Sequence, residues 1–234
     1  DDKNDDLPKE RLLEYIEEVS KIPQSMTISS KFNDAKNLLL ENKIDELSKL
    51  IDDYPSLTDE NDETGMTLLL TASQIGNMPA VKMLLNKGAD VHRCESISGH
   101  SPILEASKMG HFEIVKVLID NGADPETRDK YGFTPIQMAI VEKQYDVLAT
   151  LLGYGVLLER RDDNFDTPLL AAIRCNNLEA VRLLISAGSD ITVKTKDDKN
   201  IFELADELKN EEIIKTLSIL KTPEIKEKSS ENKA

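Results

Sequence analysis

Apolar and polar residues follow one another here at helical spacing, in short runs that glycine interrupts. Within residues 98–129 one run opens at Ser101-Pro102-Ile103-Leu104-Glu105-Ala106 and stops at Gly110, and a second carries Val115 and Leu118 and stops at Gly122. Apolar positions three and four apart between such stops predict two short amphipathic helices. The pattern then recurs. Its alanine returns as Ala72, Ala106, Ala139, Ala172 and Ala205, at spacings of 34, 33, 33 and 33. Its closing glycine returns as Gly88, Gly122, Gly155 and Gly188, each four residues after a leucine (Leu84, Leu118, Leu151, Leu184). A period of about 33 residues predicts a solenoid, in which each unit buries its apolar face against the next.

The unit boundaries carry their own signals. Thr67, Ser101, Thr134 and Thr167 stand where a side-chain oxygen caps a first helix, and Pro102, Pro135 and Pro168 follow at N1, where the missing N–H costs nothing. Pro79 can begin a second helix in the same way. Gly76 and Gly110 end first helices, while Gly65, Gly99 and Gly132 fall in the turn between units, where positive φ is required. Gly153, beside Tyr154, is expected to fray the end of a second helix. Upstream, Leu47, Leu50 and Ile51 lie 34 residues before Val81, Leu84 and Leu85, so a degenerate first unit keeps the second-helix pattern without its glycines. Lys31, Asn33, Asp34 and Lys36 suit an end unit whose outer face meets water.

Ser101-Pro102-Ile103-Leu104-Glu105-Ala106, Gly110-His111, Val115 and Gly122-Ala123-Asp124 resemble the ankyrin-repeat family, with comparable matches in phase through four consecutive units. The resemblance covers roughly residues 30–221 and implies an all-α, ankyrin-type solenoid of about six helix-turn-helix repeats with short β-hairpin turns. We expect repeats at about 33–61, 62–95, 96–129, 130–162 and 163–195, and a C-terminal cap at 196–221, where Asn200-Ile201 replaces Thr-Pro. Residues 1–29 read as an acidic N-terminal arm with a short amphipathic helix over Leu12, Leu13, Ile16 and Val19. Pro23, Ser25, Ser29 and Ser30 read as linker, and residues 222–234 as a disordered tail or linker. The family's Thr-Pro-Leu-His motif has Leu70, Leu104, Gln137 and Leu170 in its histidine place. That histidine ties neighbouring units together by hydrogen bonds, so the stack is expected to lean more on apolar contact. His111 occupies a position where the family has a structural histidine.

The resemblance also implies partner binding on the hairpin tips and the inner faces of the first helices, along one concave strip. The residues expected there are Met66, Ile75, Ile97, His100, Lys108, Met109, Tyr131, Phe133, Val141, Phe165, Asp166 and Arg174. Tyr131, Phe133 and Phe165 are the expected anchors for a mainly hydrophobic peptide or helix. The competing reading folds Met66 and Phe133 down to staple the turns. Phe165 stands where other units have glycine, so either the turn is altered or Asn164 takes the left-handed position.

Composition sharpens this picture. The 234 residues are 39% hydrophobic but only 4% aromatic, without tryptophan, which suits thin layers of aliphatic side chains. No run of about 18 apolar residues occurs, so no membrane span is expected. The formal charge of −15, from 44 acidic and 29 basic residues, disfavours nucleic acid and points to protein partners with basic flanks, bound by a monomer or within a hetero-complex. Cys94 and Cys175 fall at non-equivalent positions and no Asn-X-Ser/Thr sequon is present, which favours cytoplasm or nucleus. The chain opens on Asp1-Asp2-Lys3, which leads us to expect a processed form or a piece of a longer chain.

Signals for chemistry are weak. His92, His100 and His111 fall in different local settings, and His92 with Cys94 has ligand spacing but no second pair. Asp59, Glu60, Asp62 and Glu63 read as a solvated run. No phosphate loop, dinucleotide fingerprint or nucleophile elbow occurs, so no catalytic residue, cofactor or metal site is expected and the chain is not read as an enzyme. The expected function is a protein–protein interaction module. The alternative is an intramolecular, or substrate-recruiting and regulatory, module of a larger enzyme or channel.

Overall fold

A computed structural model of the chain describes residues 24–219, and within them twelve α-helices form six pairs, here called units 1 to 6. Unit 1 comprises α1 (Gln24–Leu40) and α2 (Ile44–Asp53), followed by a 3-10 turn, Pro55–Thr58. Unit 2 comprises α3 (Leu68–Ile75) and α4 (Met78–Asn86), unit 3 α5 (Pro102–Met109) and α6 (Phe112–Asp120), and unit 4 α7 (Pro135–Val141) and α8 (Tyr145–Gly153). Unit 5 comprises α9 (Pro168–Arg174) and α10 (Leu178–Ser186), and unit 6 α11 (Ile201–Glu207) and α12 (Glu211–Ser218). First helices pack on first helices and second on second, from one unit to the next. The all-α solenoid is the architecture the period predicts. Gly153 closes α8, where Tyr154 N–H bonds back to the Thr150 and Leu151 carbonyls.

The core is a continuous file of small and aliphatic side chains. Ala72, Ala106, Ala139, Ala172 and Ala205 are fully buried, as are Leu84, Leu118, Leu151 and Leu184. The alanines sit on first helices and the leucines on second helices, so their period marks the helix contacts themselves. Thr67, Ser101, Thr134 and Thr167 occupy N-caps with extended backbones, and Pro102, Pro135 and Pro168 open the helices behind them.

Two features depart from the sequence reading. The linker expected at Pro23 to Ser30 is helical from Gln24 onward, and α1 runs through the expected boundary at residues 29 and 30. Phe32, Ala35 and Leu39, three and four residues apart, are buried on one face of α1, and this packing overrides the weak helix propensity of the serines. The amphipathic segment over Leu12 to Val19 and the segment 222–234 lie outside the described residues. The backbone also keeps its left-handed positions where glycine is missing. Asn42, Lys143, Asn176 and Lys209 take φ between 52° and 57° in the series that contains Gly76 and Gly110. Packing of the units imposes the turn, and glycine only makes it less costly.

Units are joined by a polar ladder. The residue capping each second helix donates back to the end of the previous unit's first helix. His111 Nε2 donates to the Gln74 carbonyl at 3.1 Å, Gln144 Nε2 to the Lys108 carbonyl at 3.1 Å, and Asn177 Nδ2 to the Ile140 carbonyl at 2.8 Å. At the ends of the array the rung is side chain to side chain, Asn77 to Asn42 at 2.9 Å and Asn210 to Asn176. In the histidine place, Leu70, Leu104 and Leu170 are buried apolar groups, but Gln137 spans the junction, accepting from Thr134 N–H and donating to the Asp166 carbonyl at 3.0 Å. The histidine place is therefore apolar in units 2, 3 and 5, but the ladder ties these same units by hydrogen bonds at another point, so the stack leans less on apolar contact than the missing histidines led us to expect.

Asn177 is the rung most deeply placed: it is buried, caps Ala180 N–H and accepts from the Tyr145 hydroxyl. Asn177→Ala removes the cap and the shorter of the two bonds to the Ile140 carbonyl, leaving it the 3.3 Å bond from Lys143 N–H, and should cost about 2 kcal/mol. Asn77→Ala, at a half-buried rung, should cost less, about 1 kcal/mol. Guanidinium unfolding followed by circular dichroism ranks the two.

Candidate protein-interaction surface

Between units the chain makes a tight turn, and an acid at its base organises it. Asp62 Oδ1 accepts from Thr64 and Met66 N–H (2.9 and 3.1 Å). The Glu95 carboxylate accepts from Ile97, Ser98 and His100 N–H (2.6, 2.6 and 3.1 Å). Asp129 Oδ1 serves Tyr131 and Phe133 (both 2.8 Å), and Asp162 Oδ1 serves Asn164 and Asp166 (both 2.9 Å). These acids recur with the period, which is the signal that could have revealed their role. Asp62, read as part of a solvated run, is half-buried and paired with Lys36 at 2.6 Å. Burial draws its carboxyl upward, but hydrogen bonds from Lys36, Thr64 and Met66 outweigh it and hold the pKa at about 2. The turns form a contiguous row, linked by Ser96 N–H to the Thr64 carbonyl (2.8 Å), Lys130 N–H to Ser98 (2.9 Å) and Asp163 N–H to Tyr131 (3.3 Å).

This row and the adjoining ends of the first helices place the residues singled out from sequence. Ile97, Tyr131 and Phe165 are 67%, 60% and 54% exposed, one at the tip of each successive turn. Ile75, Met109 and Val141, at the ends of α3, α5 and α7, are exposed, as is Arg174 at the end of α9. Met66, Lys108 and Phe133 are half-buried.

Two of the expected surface residues are buried, His100 at 6% exposure and Asp166 at 3%. Asp166 lies under Arg174, whose Nε donates to its Oδ2 at 2.5 Å, and burial pushes its carboxyl pKa up against that partner. His100 lies between two carboxylates, with Nδ1 2.8 Å from Glu105 Oε1 and Nε2 3.5 Å from Asp129 Oδ2. Glu105 in turn accepts from Gln74 Nε2 at 3.3 Å, so the cluster links units 2, 3 and 4. A neutral imidazole has one N–H, whereas the imidazolium satisfies both carboxylates. The hydrogen bond to Glu105 accordingly raises the His100 pKa, against burial and the Lys108 charge.

Phe165 adopts φ 73° itself, a third solution to the turn expected from its sequence. A left-handed conformation costs an L-residue roughly 1–2 kcal/mol. Arg161 offsets part of it, with its guanidinium 4.9 Å from the ring centroid and its Nη1 donating to the Phe165 carbonyl at 2.5 Å. An exposed ring is thus held where glycine would be more stable.

The described residues gather no group of three or more His, Cys, Asp or Glu side chains able to hold a metal, and none of their helices is long and apolar enough to cross a membrane. Both cysteines are free, and burial raises both thiol pKa values.

The sequence signature of ankyrin repeats, taken three copies at a time, matches residues 26–129, 69–162 and 122–197. The chain belongs to the ankyrin-repeat family, whose members serve in general as protein–protein interaction modules. It is similar to a putative ankyrin repeat protein of Borreliella burgdorferi, 30% identical over 92 residues, 39% of this chain and 42% of that protein. A putative ankyrin repeat protein of fowlpox virus is 27% identical over 183 residues, 74% of this chain and 54% of that protein. A putative palmitoyltransferase of Danio rerio is 24% identical over 204 residues, 72% of this chain and 32% of that protein. The matches span about half or less of each relative's length.

The His100 pair predicts a pH response. With the folded pKa above the unfolded value of about 6.5, its stabilisation is whole below that pH and is lost as pH rises through the folded pKa. The guanidinium midpoint should fall between about pH 6 and about pH 8.5, and His100→Gln should flatten that slope. Asp62 and Glu95, whose pKa values are lowered, titrate at acid pH outside this window. For Phe165→Gly, relief of the left-handed ring should raise the thermal midpoint by a few degrees, about 1 kcal/mol, as read by calorimetry.

Proposed function

We propose that the chain is a non-catalytic interaction module that binds a peptide or helix of a partner protein on its row of turn tips and first-helix ends. The observation that carries this reading is the run of exposed apolar side chains, Ile75, Ile97, Met109, Tyr131, Val141 and Phe165, on consecutive units joined tip to tip. A contiguous apolar patch of this kind marks interaction surfaces, and aromatic side chains contribute most to their affinity. The retained strain at Phe165 supports it, because stability is surrendered at a ring that stays exposed and that the Arg161 stack only partly offsets. Met66, Phe133 and Lys108 contribute the floor of the surface and Arg174 its edge, while His100 and Asp166 act from beneath by fixing the turns. No metal or cofactor takes part in this reading. Two free thiols on different units suit a reducing compartment, cytoplasm or nucleus.

A second reading is favoured by one comparison. The zebrafish relative is named as a palmitoyltransferase, and the match leaves about two thirds of it outside the aligned stretch. The array would then recruit or regulate substrate within a larger protein, using the same face.

Tyr131→Ala/Phe133→Ala, checked for native circular dichroism, should abolish capture of the partner that the parent chain retains from lysate. Retention by both proteins would move the site to another face.

A further inference from the structure

We infer that the turn face of units 3 to 5 accepts a partner segment that is acidic as well as apolar, a refinement that rests on the interaction surface proposed above. It reverses the preference for basic flanks expected from the net charge of −15.

The acids of this face are consumed inside the fold. Glu95, Asp129 and Asp162 are buried and turned onto backbone N–H groups of their own turns, Glu105 holds His100, and Asp166 lies under Arg174. Of the exposed acids here, Asp163 is paired with Arg128 at 2.9 Å, which leaves Glu142.

The cations are disposed differently. Lys130 Nζ donates to the Ser96 and Ile97 carbonyls, and Arg161 Nη1 to the Phe165 and Lys194 carbonyls. A carbonyl fixes an ammonium or guanidinium without neutralising it, and among the described residues neither makes an ion pair, although the Arg161 charge is felt by the buried Asp166 carboxylate that Arg174 already holds. Lys130 sits against Ile97 and next to Tyr131, and Arg161 lies over Phe165. Each of these cations, which make no ion pair among the described residues, thus stands beside an exposed apolar tip. Lys108 and Lys143, near the ends of α5 and α7, likewise have no carboxylate in ion-pairing range among the described residues.

The negative charge lies elsewhere. Exposed Glu113, Asp120, Asp124, Asp146, Glu179 and Asp190 are on second helices or the turns that follow them. With a Debye length of about 8–10 Å in ordinary buffer, a docked segment responds to the charges it touches rather than to the chain total. Four fixed or free cations interleaved with aliphatic and aromatic tips match a segment in which Asp or Glu flanks apolar anchors.

The test is selection of random peptides displayed on phage against the full chain, followed by fluorescence anisotropy with the recovered sequences. The expected sequences carry Asp or Glu beside Leu, Phe or Trp, and bind more weakly as salt is raised. Lys108→Glu/Lys143→Glu alters side chains that make no internal ion pair, so the fold is retained, and affinity should fall by about tenfold. Recovered peptides that are basic or neutral, or that bind this variant unchanged, would overturn the charge preference while loss on Tyr131→Ala/Phe133→Ala would keep the surface. Acidic peptides indifferent to Tyr131→Ala/Phe133→Ala would instead overturn the surface itself. Failure to enrich any sequence, or equal displacement by a single-stranded oligonucleotide, would also count against an acidic protein segment.

Discussion

The first helices of units 2 to 6 are seven or eight residues long, too short to stand alone, and those of units 2 to 4 end in carbonyl groups that face the next unit. The next unit meets them with a side chain that is already engaged as the start of a second helix. His111, Gln144 and Asn177 each take this place, through three different residue types, because the requirement is for a donor at that point rather than for a particular ring or amide. Apolar burial supplies most of the free energy of stacking, but it is non-directional. The rungs fix how far one unit is turned and shifted on the next, and the turn row inherits its regularity from them.

The fold was legible because its signals are periodic. Buried alanines and leucines, Thr-Pro starts and glycine stops recur in phase, and every recurrence strengthens the others. What escaped was either local or interior. The helix at Gln24–Leu40 contradicts the propensity of its serines, since one buried face over Phe32, Ala35 and Leu39 decides it. The left-handed Phe165 was not readable because the sequence shows which residue breaks the glycine pattern but not whether the turn or the residue yields. His100 and Asp166 look like surface residues by register, and only their partners, Glu105, Asp129 and Arg174, take them inside. The apolar tips were found from register alone, because turn tips have no neighbour to fold under.

Charge is the property for which the chain total misleads most. In a solenoid every unit has a turn side and a second-helix side, and the same carboxylate means different things on each. On the turn side it is a structural acceptor, hidden beneath the backbone it holds. On the other side it stays in water and contributes to solubility, even where, as at Asp124 and Asp190, it also accepts from a backbone N–H. Partner chemistry therefore has to be read from accessible, unpaired groups.

The ladder also bears on how such an array changes length over evolution. Donor and acceptor in its central rungs are separated by 36 or 37 residues, slightly more than one unit. Excising or duplicating one whole unit brings a new donor to an equivalent carbonyl, whereas an insertion of any other length into a helix pair carries the donor out of register with it. The bonding pattern thus quantises viable genetic change, so that recognition surface is gained or lost in whole repeats.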